Sequence, residues 1–110
     1  MSPAAFLGEF EQMVLLAVLQ RGDQAFALEV RRELETSAGR RVSRGAFYTT
    51  LDRLERKGLV TWTEEEPADG RRNAPLRRFR VTAAGLEALR TSRRALTTLW
   101  RGLDDVLAGS

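Results

Sequence analysis

The sequence predicts a fold class that is mainly α with a small β-hairpin, in the order helix, helix, helix, hairpin, long last helix. Three observations carry this reading. Apolar residues recur at helical spacing in four separate stretches, and Gly22, Gly39 and Gly58 punctuate them. Leu59–Thr63 and Leu76–Val81, rich in β-branched and aromatic residues, flank a run of turn formers. A length of 110 residues suits one domain with its own core and no more.

The first helix is expected from Phe6 to about Gln20. Phe6, Phe10, Val14 and Ala17 form one stripe, which Met13, Leu16 and Leu19 widen; Leu15 and Val18 make the segment apolar nearly all round. A short helix of that kind must be covered on every side, and a domain this small covers one face. The other face calls for a second chain. After the turn Arg21-Gly22-Asp23, a second helix spans about Ala27–Ser37, with Phe26, Val30 and Leu34 inward and Gly39 as a left-handed cap. Ser43 caps a third helix, Arg44–Lys57, whose Phe47, Leu51 and Leu54 face inward and whose Arg44, Tyr48, Thr49, Asp52, Arg53 and Arg56 face outward. Gly58 ends it. Two strands follow, joined by Glu64–Pro75 with Pro67, Asp69-Gly70 and Asn73. Thr82 caps the last helix, expected to run to about Leu107. There Leu86, Leu89, Arg93, Leu96, Trp100, Leu103 and Leu107 step by three and four residues, the spacing of a coiled-coil seam. Such a helix, close to ~40 Å long, outruns the domain, so its far end projects or packs on a partner.

Composition removes whole classes of chemistry. Without His or Cys the chain lacks the usual ligands of zinc, haem and iron–sulfur clusters, the usual nucleophile–base pairs and any disulfide. Its carboxylates form no visible catalytic constellation, so no enzyme, no cofactor and no metal is expected. The longest apolar run, Met13–Leu19, is far short of the ~20 residues of a membrane span. Met1–Leu7 does not read as an export signal, and a soluble, cytoplasmic protein is the expectation.

The formal charge of +3 is unevenly spread. Residues 1–39 are net −3, residues 40–80 net +5 and residues 81–110 net +1, and 17 of the 18 cationic residues are Arg. A solvated Arg-rich surface would account for this, and so would a face turned to a polyanion. Three helices followed by a hairpin make a winged helix-turn-helix arrangement, in which helix three can lie in a major groove and the hairpin tip becomes the wing. The basic segment is the one that holds both, which favours double-stranded DNA as partner. The chain divides as residues 1–81, the winged helix-turn-helix domain, and residues 82–110, a C-terminal dimerisation helix of the same compact unit.

Three stretches carry a family resemblance. They are Leu7-Gly8-Glu9-Phe10-Glu11; Ser43-Arg44-Gly45-Ala46-Phe47-Tyr48-Thr49-Thr50-Leu51-Asp52-Arg53-Leu54-Glu55-Arg56-Lys57-Gly58-Leu59-Val60; and Arg78-Phe79-Arg80-Val81-Thr82-Ala83-Ala84-Gly85. The sequence resembles the PadR family of transcriptional regulators across nearly its whole length. The resemblance implies a homodimeric winged-helix DNA-binding protein, usually a repressor, whose C-terminal helix packs with the partner's N-terminal helix. It departs from the family in having Phe26-Ala27 where members often carry Tyr-Gly, and Thr49 where many have Pro.

On this reading Arg44, Tyr48, Thr49 and Arg53 form the recognition face, and Arg71 and Arg72 reach phosphates or a minor groove from the hairpin tip. Phe6, Phe10, Leu89, Leu96, Trp100 and Leu103 form the dimer seam. Trp100 is either core of that seam or, since some members of the family bind planar aromatic ligands there, the wall of a pocket for a small aromatic effector. Trp62 is expected to pack on the sheet. Two rival functions remain: a winged-helix protein-interaction module without DNA binding, and a small-molecule carrier using the dimer interface.

Overall fold

Leu7 and Gly8 precede the first helix, Gly8 in extended conformation, so the helix starts later than the apolar stripe suggests. In the computed structural model, which describes residues 7–39, 41–65 and 76–109, α1 spans Glu9–Arg21. The reason for the late start is chemical. Gly8 takes φ −63° and ψ 160°, and Glu11 reaches back to accept its N–H at 2.9 Å. That bond satisfies a donor at the helix start that no helical carbonyl can reach. Phe6 lies outside the described residues. A short 3-10 turn, Gly22–Gln24, turns the chain into α2, Ala27–Ala38, which stops at Gly39 in the left-handed conformation.

The third helix, α3, spans Arg44–Arg56 and opens as expected: the Ser43 hydroxyl accepts the Ala46 N–H at 3.1 Å. Gly58 at φ 75° ends it. Strands β1, Val60–Glu65, and β2, Leu76–Val81, pair antiparallel with Trp62 opposite Phe79. The strand expected at Leu59–Thr63 is therefore shifted. Leu59 is drawn off to the helix end, its N–H donating to Leu54 O, while Glu64 and Glu65 join the ladder opposite Arg77 and Leu76. One pairing has no counterpart in the sequence reading. The segment before α2 bridges to β2, where Phe26 stands opposite Arg78 and the Phe79 N–H donates to Ala25 O at 2.8 Å.

The C-terminal helix is the main correction. The seam spacing predicted one helix to about Leu107. Instead α4 spans Ala83–Trp100 and a separate short helix, α5, spans Asp104–Ala108. Gly102 adopts φ 79°, and the Leu103 N–H closes the turn onto Trp100 O at 2.9 Å. A left-handed glycine is a strong helix stop, and here it outweighs the heptad pattern on either side of it.

The core lies where α1, α2, α3 and the hairpin meet. Phe47, Leu54, Val14, Leu15, Val30 and Val60 are fully buried in it, with Leu34, Leu51 and Phe79 beside them. Thus the inner stripes expected of α2 and α3 are inside, apart from Phe26, which is half-buried. Two contacts fix α4 against this core. The Thr82 hydroxyl donates to Gly58 O at 2.7 Å and accepts the Gly85 N–H at 3.0 Å. A Cβ on Gly85 would lie 2.2 Å from Leu59 O, so only glycine allows the approach. Further along, Ser92 is buried, and its hydroxyl accepts the Leu7 N–H at 3.4 Å. The uncovered face expected of α1 is present: Leu16 is 48% and Leu19 44% exposed.

Candidate nucleic-acid interface

Helical periodicity alone determines which α3 side chains face out. Burying Phe47, Leu51 and Leu54 turns Arg44, Tyr48, Thr49, Asp52, Arg53 and Arg56 to the surface, and all six are exposed. Tyr48 rests edge-on against Phe47, ring centroids 5.3 Å apart, so a rigid aromatic in the core positions its phenol. Arg44, Tyr48, Thr49 and Arg53 spread across the exposed half of α3, with Arg44 and Arg53 at its two edges. Arg71 and Arg72 fall outside the described residues.

The hairpin is tied to the far end of α3. The Trp62 indole N–H donates to Glu55 at 3.1 Å, and the Arg77 guanidinium lies 4.3 Å above the Trp62 ring. Trp62 therefore does pack at the sheet, as a brace between β1, β2 and α3. Near the start of α3 the surface is concave. An open cleft of about 410 Å³ is lined by Phe26, Leu28, Arg31, Arg44, Tyr48 and Arg77, among others.

Arg31 and Arg77 were not among the residues singled out from the sequence. One signal was available. In a strand, alternate residues share a face, which sets Arg77 with Phe79 and apart from Arg78 and Arg80. Arg78 is matched by Glu65 at 2.7 Å and Asp23 at 3.5 Å. Arg31, Arg44 and Arg77 carry no carboxylate partner among the described residues.

The dimerisation candidates divide by position. Phe10 and Leu89 pack partly against the core. Leu96, Trp100 and Leu103 are exposed, and so are Leu99, Val106 and Leu107. Between α1 and α2, Met13, Leu16, Ala17 and Leu34 line a shallow, largely apolar depression of about 200 Å³. Among the described residues no cluster of acidic side chains could hold a metal ion, and no helix is long and apolar enough to cross a membrane.

Glu11 is the clearest electrostatic feature away from this surface. Burial raises its carboxyl pKa. The salt bridge from Lys57 at 2.8 Å, the Gly8 N–H and the charges of Lys57 and Arg53 outweigh that, and the net shift is below the ordinary carboxylate value. The pair joins the start of α1 to the residue that follows α3, which fixes the pitch of the exposed helix.

Comparison with known proteins agrees with this fold. The model of the transcriptional regulator PadR-like family matches residues 15–91. Transcriptional regulator Rv3488 of Mycobacterium tuberculosis is 46% identical over 71 residues, which are 64% of this chain and 60% of that protein's length. The complex structure of hsRosR-S1 superposes with a TM-score of 0.70 at 26% identity, over 94% of this chain and 85% of the other. The PadR-like transcription factor from Bacteroides fragilis shares the fold at a TM-score of 0.63 and 23% identity, over 91% of this chain and 87% of that one. The matching family is one of regulators and not of enzymes. The family model takes in α2, α3, the hairpin and most of α1, and the chain belongs to the PadR-like family of transcriptional regulators.

Proposed function

We propose that this protein is a homodimeric repressor that reads a palindromic duplex site through α3. The observation that carries the reading is the outer face of α3, where Arg44, Tyr48, Thr49 and Arg53 are exposed together in the most basic segment of the chain. Arg44, in the first turn of the helix, is placed for a guanine edge or a phosphate, and Tyr48 for a phosphate or a thymine methyl. Arg71 and Arg72, which follow β1 in the sequence, are expected to add phosphate contacts. Exposed Leu96, Trp100 and Leu103 at the C-terminal end and the apolar depression around Leu16 on α1 are the two surfaces that a dimer would cover. Two-fold symmetry sets the recognition helices about 34 Å apart, one DNA turn.

Most of the affinity comes from phosphate neutralisation and falls steeply with salt. Titration of the intact protein against the duplex upstream of its own coding sequence, at several salt concentrations, tests this. A flat salt response argues for a protein-interaction module instead. Arg44→Ala relaxes base preference at a cost of about 1–3 kcal/mol if the contact is bidentate. Equal losses on specific and random duplexes reduce Arg44 to a phosphate contact. Relief by a small planar ligand rests on Trp100, 46% exposed on α4. Quenching of tryptophan emission by such a compound, abolished in Trp100→Leu, is the expected sign.

A further inference from the structure

Among the described residues some arginines are matched to carboxylates and others are not. Arg21, Arg78 and Arg90 are each matched to a carboxylate, on Glu33, Glu65 and Glu87 respectively. Arg31, Arg44 and Arg77 are not matched, yet they come from α2, α3 and β2 to line a single cleft. Among the described residues Glu29 is the one carboxylate in its wall, so the cleft holds a net excess of two positive charges.

One feature shows how a guanidinium of this cleft is held ready for an acceptor. The face of Arg77 is occupied by the Trp62 ring at 4.3 Å, and Trp62 is in turn anchored on Glu55. Stacking uses the face of a guanidinium and leaves its edge, where the N–H groups point, free for a bidentate acceptor.

We propose that this cleft is a phosphate-binding site that seats one internucleotide phosphate between Arg31, Arg44 and Arg77. The inference rests on the reading of α3 as the groove element. A helix in a major groove ~12 Å wide has a phosphate strand along each side. The cleft opens on the side of α3 that faces α2 and the hairpin, where one of those strands passes. Arg44 and Tyr48 line the cleft and also belong to the recognition face, so the seated phosphate sets the register in which α3 meets the bases. Arg31 and Arg77 are thereby positioning residues, blind to sequence.

The test uses the intact protein, a fluorescein-labelled 30-base-pair duplex of mixed sequence and the upstream duplex, followed by polarisation between ~50 and ~200 mM salt. Arg31→Gln and Arg77→Gln, which sit on different elements, are compared with wild type, and unchanged thermal unfolding shows that each is folded. Each is expected to weaken binding about tenfold at low salt, to the same extent on both duplexes, and to reduce the salt slope by about one for each cleft engaged. Wild-type affinity and slope in both variants, with Arg44→Ala still impaired, would overturn the phosphate site and leave the recognition helix standing. Failure of the wild-type protein to bind either duplex would remove the DNA reading itself.

Discussion

Lys57 is the only lysine among 18 cationic residues, and its position explains a good part of how α3 is held. Its ammonium, 41% exposed, meets the nearly buried carboxylate of Glu11 across the domain. The sign of the pH dependence follows from the Glu11 pKa being lower folded than unfolded. The pair's contribution is complete above the ordinary carboxylate range and is lost as pH falls through the folded value. Lys57→Met should lower stability at neutral pH by about 1 kcal/mol, discounted for the solvent around Lys57. It should also flatten the acid limb of a plot of unfolding free energy against pH. Gly85 offers a sharper case. An added Cβ meets a backbone carbonyl at 2.2 Å and Val81 Cγ1 at 2.7 Å, and a carbonyl in a packed turn cannot swing aside. Gly85→Ala should therefore cost about 1–3 kcal/mol in urea unfolding, opposite in sign to the usual gain from replacing a helical glycine by alanine.

At the scale of elements, the break between α4 and α5 invites the opposite experiment. Gly102→Ala penalises the left-handed turn by about 1–2 kcal/mol and favours a continuous rod through Leu107. A rise in far-UV helical signal is expected, and an unchanged spectrum would show that contacts beyond the glycine set the turn. The same break shows what a sequence can and cannot convey. Leu89, Leu96 and Leu103 keep seven-residue spacing whether or not the helix is interrupted, so periodicity hid a stop signal that Gly102 itself supplied. Where periodicity and capping agreed, at Ser43 with Phe47, Leu51 and Leu54, the helix and its outer face were legible to within a residue. The bridge from Phe26 to Arg78 was not, because a single pair has no period. Arg44 and Tyr48 could be proposed for the interface from one helix. Arg31 and Arg77 could not, since the cleft exists only once three elements distant in sequence are folded together.

For the whole molecule, the exposed apolar residues are concentrated at two places, the end of α4 with α5, and the outer side of α1. Left in water, Leu96, Leu99, Trp100, Leu103, Val106 and Leu107 would form an aggregation-prone patch; against a second copy they become a core. Leu96→Glu is expected to give a monomer in sedimentation, with α3 and the hairpin still folded, and to weaken DNA binding far more on a palindrome than on a single half-site. A dimer unchanged by this substitution would place the interface elsewhere. The glycine contact at the root of α4 has a mechanical corollary. Because α4 meets the Leu59 carbonyl there with no side chain of its own between them, the joint has little slack, and beyond its second anchor at Ser92 the helix runs on for ~12 Å to Trp100. A tilt of ~5° about Ser92 carries Trp100 through about 1 Å on this length. In the proposed dimer, a change in how two copies grip each other at the tips would be passed along α4 to the separation of the two α3 helices.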